Sequence, residues 1–156
     1  MDAEGPRSLA GLSSKMTYGQ MRRFADRLDL TVASALLPRG KTGFYDEATR
    51  TILIDRRLIY CQKRCTLVHE LIHWSHADST HEGVFGSRAE SRAKRETALT
   101  LISLPEYEMA ERLYEGEPYQ IACELDVTLQ VVLDYQRMLD DAKQPKQGGK
   151  SAFALR

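Results

Sequence analysis

The sequence predicts an α+β fold in which one helix and a small sheet of antiparallel type precede an all-helical C-terminal part. Three observations support this class. Apolar side chains recur at helical spacing over residues 17–28, three short apolar runs follow between residues 30 and 54, and helical periodicity dominates from residue 57 onward. The chain has 156 residues, which suits one domain, and we expect that domain to cover residues 16–141.

The N-terminal elements are marked by local signals. Residues 1–15 are small and polar, which predicts a disordered lead. Thr17 and Gln20 have the spacing of a capping box, so the first helix is predicted over 17–28. The apolar runs at 30–37, 43–45 and 51–54 predict three strands, with a loop between the last two.

The remaining elements are predicted to be helices. Pro105 and Pro118 open two of them, and Thr128 caps the last. Within the helical subregion 103–141, residues 121–132 have the pattern of a helix-turn-helix. We also expect a loop at 79–86 and a flexible tail over 142–156. The predicted helices cover 57–77, 87–102, 105–116, 118–125 and 128–141.

Composition excludes several classes of protein. Lys and Arg total 22, and Asp and Glu also total 22, so bulk positive charge does not direct the chain to nucleic acid or an anionic membrane. No apolar run reaches the ~20 residues that span a bilayer, and the first residues lack the apolar core of a signal peptide. We therefore expect a cytoplasmic protein. Three cysteines, too few for a disulfide framework, are interpreted as core side chains: Cys61, Cys65 and Cys123.

The residues His69-Glu70-Leu71-Ile72-His73 form an H-E-x-x-H motif on the predicted helix 57–77. Residues four apart lie on one helical face, so both imidazoles can bind one metal ion. Glu70 lies beside that face, where its carboxylate can act as a general base toward water. The motif therefore predicts a zinc hydrolase, and two incidental histidines on a helix are the alternative.

A zinc hydrolase needs a third protein ligand. Glu90 follows His73 by 17 residues, which is enough for a turn and a second helix, and small side chains on the face of Glu90 allow that helix to approach closely. A capping box formed by Ser87 and Glu90 is the alternative role for this carboxylate. Asp78 and His81 in the predicted loop are further candidates for the third ligand.

Other polar residues near the motif are assigned by helix geometry. His76 lies about 10 Å along a straight helix from His69, too far to share an ion with it. On the second helix, the side opposite Glu90 carries three arginines that are expected to face solvent: Arg88, Arg92 and Arg95. The sequence does not choose among four candidates for the group that stabilises an oxyanion: Tyr45, Tyr60, His76 and His81.

These residues resemble a known family. The segment 64–73, RCTLVHELIH, is similar to the R-F-T-L-A-H-E-L-G-H segment of the ImmA/IrrE family of metallopeptidases. Glu90 and the side chains that follow it at 93, 97, 98, 101 and 102 resemble the second helix of that family, and 51–55 resembles the strand before its active helix. The resemblance covers about residues 17–141. It implies a zincin-like, gluzincin-type site with one Zn²⁺ per chain, bound by His69, His73 and Glu90, and with Glu70 as general base.

The resemblance also implies a function. It implies a zinc endopeptidase that cleaves a helix-turn-helix repressor of a phage or mobile element in the bacterial cytoplasm. We expect a protein partner and no direct binding of nucleic acid or membrane. The alternatives are a SprT-like zinc protease with His76 or His81 as third ligand, a non-cleaving anti-repressor, and a DNA-binding module. DNA binding is disfavoured, since the helix 128–141 would bring three aspartates to DNA against Arg137 alone.

Acidic side chains are concentrated in residues 96–141, which hold 11 acids against Arg112 and Arg137. A repressor presents a basic surface to DNA, so this acidic region favours, as a hypothesis, docking of that surface. A solvated acidic face without a docking role is the alternative.

Overall fold

The computed structural model describes residues 7–78 and 84–144. These residues form a three-stranded sheet near the N-terminus and six helices, which confirms the predicted α+β class. Among them, no helix combines the length and the apolar character needed to cross a membrane. In chain order the elements are α1 (Tyr18–Arg27), β1 (Thr31–Ala35), β2 (Gly43–Asp46), β3 (Thr51–Asp55), α2 (Tyr60–Ser75), α3 (Val84–Leu101), α4 (Leu104–Leu113), α5 (Pro118–Leu125) and α6 (Leu129–Lys143).

Two helices begin at the caps that the sequence predicts. The Thr17 hydroxyl accepts a hydrogen bond from the Gln20 amide, and the Gln20 side chain accepts one from the Thr17 amide, so the predicted capping box is present. The Thr128 hydroxyl caps α6 by accepting from the amide three residues later. Residues 142 and 143 of the predicted tail belong to α6, and residues 145–156 lie outside the described residues.

The sheet is mixed, which corrects the predicted antiparallel type. Its strand order is β1-β3-β2, with β1 parallel to β3 and β2 antiparallel to β3. β2 and β3 form a hairpin, whereas β1 pairs with the opposite edge of β3. The central position suits β3 because Ile52 and Ile54 on it are completely buried, while β1 and β2 each bury a single residue.

The N-terminal lead differs from the disordered segment that its composition predicts. Residues 1–6 lie outside the described residues, but residues 7–15 contact the rest of the chain. Arg7 donates a hydrogen bond to the Trp74 carbonyl and forms an ion pair with Glu47. Leu9 and Leu12 pack against the core. The described part of the lead is therefore held against the end of α2 and the hairpin.

α2 lies at the centre of the core. Leu67, Val68, Leu71 and Ile72 on this helix are buried, and α1, β2, β3 and α3 pack around it. A helix with apolar side chains on most of its surface is stable only when neighbours cover it on most sides. The helix that carries the H-E-x-x-H motif is therefore held firmly by its neighbours.

The three cysteines lie in different environments. Cys65 is buried, as predicted, and Cys61 is half-buried one turn before it, but Cys123 on α5 is exposed. The core interpretation is wrong for Cys123 because Ile121 and Ala122 form the buried face of that helix. All three are free thiols.

Candidate metal centre

The two histidines of the motif point to the same side of α2. His69 Nε2 and His73 Nε2 are 3.1 Å apart, and the rings meet edge to face with their centroids 4.8 Å apart. A spacing of four residues on a helix produces this arrangement. His73 is buried, while His69 is partly exposed.

α3 brings the carboxylate of Glu90 to both imidazoles. Its Oε1 lies 2.8 Å from His73 Nε2, and its Oε2 lies 3.2 Å from His69 Nε2. Ala93 and Thr97 on α3 are buried, and their small side chains let α3 approach α2 closely, as the sequence predicts. We call His69, His73 and Glu90 the donor cluster.

The sequence leaves open a capping role for Glu90 and another residue as the third ligand. α3 begins at Val84, three residues before Ser87, so Ser87 is not the N-cap and the alternative capping box is not formed. The predicted loop at 79–86 is therefore wrong for residues 84–86. His81 lies outside the described residues.

The donor cluster fits a zinc ion. Nitrogen and oxygen ligands at about 2.0–2.2 Å from zinc, arranged as a tetrahedron, lie about 3.3 Å from one another. With Oε1 as the donor of Glu90, the observed separations are 2.8 Å to His73 Nε2 and 3.5 Å to His69 Nε2, and the two Nε2 atoms are 3.1 Å apart. Two imidazoles and one carboxylate are a common donor set of catalytic zinc sites, where a fourth position stays open to water. The described residues thus contain one group that could hold a metal ion.

The contacts within the donor cluster shift the pKa values of its members. Hydrogen bonds with His69 and His73 hold the pKa of the Glu90 carboxyl well below its usual range. Burial lowers the pKa of His73, but the hydrogen bonds with Glu90 and Asp78 outweigh burial and raise this pKa to about 9. A metal ion needs deprotonated donors, so zinc would compete with a proton at this imidazole.

Glu70 lies beside the donor cluster, between α2 and β2. Its side chain is buried, and burial raises the pKa of its carboxyl against the lowering effect of His69 and His73. Gly43 makes room for it, because a Cβ at position 43 would lie 3.0 Å from Glu70 Oε1 and 2.5 Å from Thr66 Cγ2. A raised pKa makes this carboxylate a better proton acceptor.

Asp78, a candidate third ligand in the sequence, lies outside the donor cluster. Its Oδ2 is 2.9 Å from His73 Nδ1, on the side of the ring away from the Nε2 atom. Its Oδ1 accepts a hydrogen bond from Arg92 Nη2 on α3. The expectation that Arg92 faces solvent is therefore wrong, and both residues belong to the surroundings of the site.

Three of the four candidates for oxyanion stabilisation have other described contacts. The buried Tyr45 donates its hydroxyl proton to Glu47. Tyr60 begins α2, about 13 Å along the helix axis from the motif, and its ring packs edge to face against Tyr18. His76 Nε2 lies 2.7 Å from Glu96 Oε2. Within the described residues, none of the three bonds to the donor cluster, and the fourth candidate lies outside them.

The donor cluster opens into a cavity of about 420 Å³ between α2, α3 and residues 40–45. β2, which is an edge strand of the sheet, forms one wall, and Lys41 adds a positive charge to the same wall. Neither Lys41 nor Gly43 is expected at the site from the sequence. An isolated glycine within a strand pattern marks a close approach by another group, and this signal was available for Gly43.

Comparisons with known proteins address the fold alone. No family model matches the chain, and no curated protein matches it. A solved structure of a Mycobacterium tuberculosis transcriptional regulator is similar to it, with a TM-score of 0.58 and 17% sequence identity. The similarity covers 87% of this chain and 46% of the regulator, so the chain spans about half the length of that protein.

Proposed function

We propose that the protein is a zinc-dependent endopeptidase whose zinc ion is bound by His69, His73 and Glu90. The observation that carries this proposal is the convergence of three donors from two helices, with the buried carboxylate of Glu70 beside them. The cavity in front of the donors and the edge strand β2 support a polypeptide substrate, because an extended peptide can pair with an exposed strand edge.

When bound, a zinc ion would lower the pKa of a water molecule and polarise a peptide carbonyl. Glu70 is the proton acceptor that the chain itself supplies. Its carboxylate takes a proton from the attacking water and delivers it to the nitrogen of the leaving amine. Burial of Glu70, which raises the pKa of its carboxyl in the metal-free site, favours this uptake of a proton. Gly43 leaves the space that this carboxylate occupies.

We further propose that the substrate is a helix-turn-helix repressor of a phage or mobile element. Support comes from the resemblance of segment 64–73 to the ImmA/IrrE metallopeptidases and from the acidic surface of the C-terminal helices. A SprT-like arrangement needs a third histidine ligand. Of the two candidates, His76 is paired with Glu96, and His81 lies outside the described residues.

The test is co-expression with each helix-turn-helix repressor encoded in the same genome. The wild type should produce two repressor fragments, which mass spectrometry identifies. Glu70→Gln should keep its zinc but lower the cleavage rate by at least about 100-fold, because glutamine cannot accept the proton. Glu96→Gln, the same chemical change on α3 outside the donor cluster, should cleave like the wild type. Full cleavage by zinc-loaded Glu70→Gln would contradict the mechanism, and an intact repressor with the zinc-loaded wild type would contradict the substrate.

DNA binding through α5 and α6 is a second candidate function. The two helices are joined by residues 126–128 in the order of a helix-turn-helix, and the regulator of similar fold makes this candidate worth testing. Against it, Val131 and Val132 in the first turn of α6 are buried, and Asp140 and Asp141 are exposed beside Arg137. Binding of duplex DNA at low salt would favour this function; we expect none.

A further inference from the structure

The end of α2 is built so that Asp78 returns to His73. The Asp78 amide donates to the His73 carbonyl, and the Ala77 amide donates to the Trp74 carbonyl, which together form a Schellman motif. Ala77 adopts a left-handed conformation with φ of 51°, which is unusual for a residue other than glycine. This turn places the Asp78 carboxylate next to Nδ1 of His73, with only 14% of the Asp78 side chain exposed.

The Asp78 carboxylate contacts one residue on α2 and one residue on α3. Its Oδ2 lies 2.9 Å from His73 Nδ1, and its Oδ1 lies 2.5 Å from Arg92 Nη2. Arg92 lies two residues after Glu90 on α3. The carboxylate therefore links one donor residue on α2 to the helix that supplies another donor.

The contact with Nδ1 has a chemical consequence. A neutral imidazole carries one proton, and a carboxylate next to Nδ1 keeps that proton on Nδ1. The lone pair is then on Nε2, the atom of His73 that faces His69 and Glu90. In metal sites a carboxylate behind a histidine ligand orients the ring and increases its basicity.

We propose that Asp78 and Arg92 are positioning residues that fix the Nδ1–H form and the orientation of His73 and thereby strengthen zinc binding. The inference rests on the metal centre of the proposed function. Arg92 neutralises the carboxylate on its far side and holds it against the ring. A purely structural ion pair between α2 and α3 is the competing explanation.

The chain offers a matched control for that explanation. Glu96 on α3 contacts His76 at the end of α2, and the Nε2 to Oε2 distance is 2.7 Å. This contact is also a histidine–carboxylate pair between the same two helices, but neither residue belongs to the donor cluster. A general loosening of the two helices should follow from Glu96→Gln as well as from a change at Asp78.

The experiment measures the zinc dissociation constant of the full chain by competition with a chromophoric chelator. We expect Asp78→Ala to weaken zinc binding by about 10- to 100-fold. Asp78→Asn, which preserves the shape and removes the charge, should bind zinc several-fold more weakly than the wild type. Arg92→Gln should weaken zinc binding less than Asp78→Ala does. Arg92→Lys, which keeps the positive charge, should weaken it less than Arg92→Gln. Glu96→Gln should leave the dissociation constant unchanged.

A spectroscopic measurement distinguishes the positioning role from a purely structural ion pair between α2 and α3. In ¹⁵N-labelled, zinc-loaded wild type, His73 should show a protonated Nδ1 that exchanges slowly with water. Asp78→Asn should speed this exchange while the thermal midpoint of the zinc-free protein changes little. If Asp78→Ala does not fold, the Asp78→Asn variant decides the question.

Each result has a defined meaning. Wild-type affinity in Asp78→Asn, or an equal loss in Glu96→Gln, overturns the positioning role and leaves the metal centre intact. A wild type that binds no zinc overturns the metal centre and the positioning role together. Because no substrate is used, the result does not depend on which protein is cleaved.

Discussion

Among the described residues, 7–101 bury more polar and charged side chains than the C-terminal helices α4–α6. Among the described residues of the C-terminal helices, one charged or polar residue is buried, Asp134. Its carboxylate accepts a hydrogen bond from Gln130. These helices carry their other acids on the surface, for example Glu108 and Glu111 on α4. The buried polar or charged residues described in 7–101 are Asp55, Arg64, Thr66, Glu70, His73 and Thr97.

This difference separates the region that contains the candidate metal centre from the region that does not. Burying a charged group costs free energy unless it is paired, so a concentration of such groups marks a candidate site. Glu70 and His73 are two of them. Arg64 has another role, because its guanidinium donates to the carbonyls of Met16 and Asp126 and so joins the two regions.

The largest effect is expected when residues 7–101 lose one member of the donor cluster. Glu90→Gln removes the charge of one of three donors and keeps the size of the side chain. We expect zinc affinity to fall by more than about 100-fold, beyond the loss that follows removal of an outer partner of a ligand. Chelator competition measures the affinity, and far-UV circular dichroism should show unchanged helical content.

The control and the contradicting result use the same assay. Glu96→Gln should bind zinc like the wild type, since Glu96 contacts His76 outside the donor cluster. Unchanged zinc binding in Glu90→Gln would show that Glu90 is not a ligand. A greater loss in Asp78→Asn than in Glu90→Gln would make Asp78 the third ligand.

A smaller effect is expected from Gly43→Ala, which tests how tightly the buried Glu70 is packed. The new Cβ would lie 2.5 Å from Thr66 Cγ2 and 3.0 Å from Glu70 Oε1, so neighbouring atoms have to move. We expect unfolding free energy to fall by about 1–3 kcal/mol. Displacement of the Glu70 carboxylate should lower the cleavage rate by about 10- to 100-fold. Zinc affinity should change only slightly, because the donor cluster lies on α2 and α3.

Gly19→Ala on α1 is the matched control. A Cβ at position 19 would have its nearest neighbour at 4.0 Å, the Thr17 hydroxyl oxygen, which is an ordinary contact. Alanine is favoured over glycine inside a helix by about 0.5–1 kcal/mol, so this variant should be slightly more stable. Urea unfolding measures both variants. A Gly43→Ala protein as stable and active as the wild type would contradict the packing of Glu70 against β2.

The sequence predicted the elements better than their arrangement. Three features depend on neighbours within four residues, and local sequence patterns reveal them: α2, the donor spacing of His69 and His73, and the cap at Thr17. The predicted start of α2 at residue 57 is wrong, because the helix begins at Tyr60. The strand order depends on which strand buries more of its surface against α2. Three short apolar runs of similar composition do not contain that information, so the mixed sheet was not predicted.

The surroundings of the site were missed for a similar reason. Asp78 reaches His73 only because Ala77 takes a left-handed conformation, and no glycine or asparagine at that position signals the turn. Arg92 faces Asp78 because α3 crosses beside the end of α2. A helical wheel of α3 alone places Arg92 away from Glu90 and cannot show what the neighbouring helix presents there.

The smallest effects are expected from substitutions on the acidic surface of the C-terminal helices α4–α6. A triple variant changes Glu108, Glu111 and Glu115 to glutamine, all of them exposed. Glu117 is kept because its side chain caps α5 by accepting from the Gln120 amide. Exposed substitutions change unfolding free energy by about 0.5 kcal/mol or less each, so stability and zinc affinity should stay close to wild type.

The same variant decides whether this surface binds the basic face of a repressor. Docking by charge predicts that the wild-type cleavage rate falls as salt rises, since the screening length shortens to about 10 Å at 0.1 M ionic strength. The triple variant should then cleave more slowly at low salt and lose most of its salt dependence, and operator DNA should protect the repressor. If the variant cleaves at the wild-type rate at low salt, the docking hypothesis is wrong. The acidic helices then keep the protein in solution, and recognition of the substrate depends on the cavity beside the donor cluster.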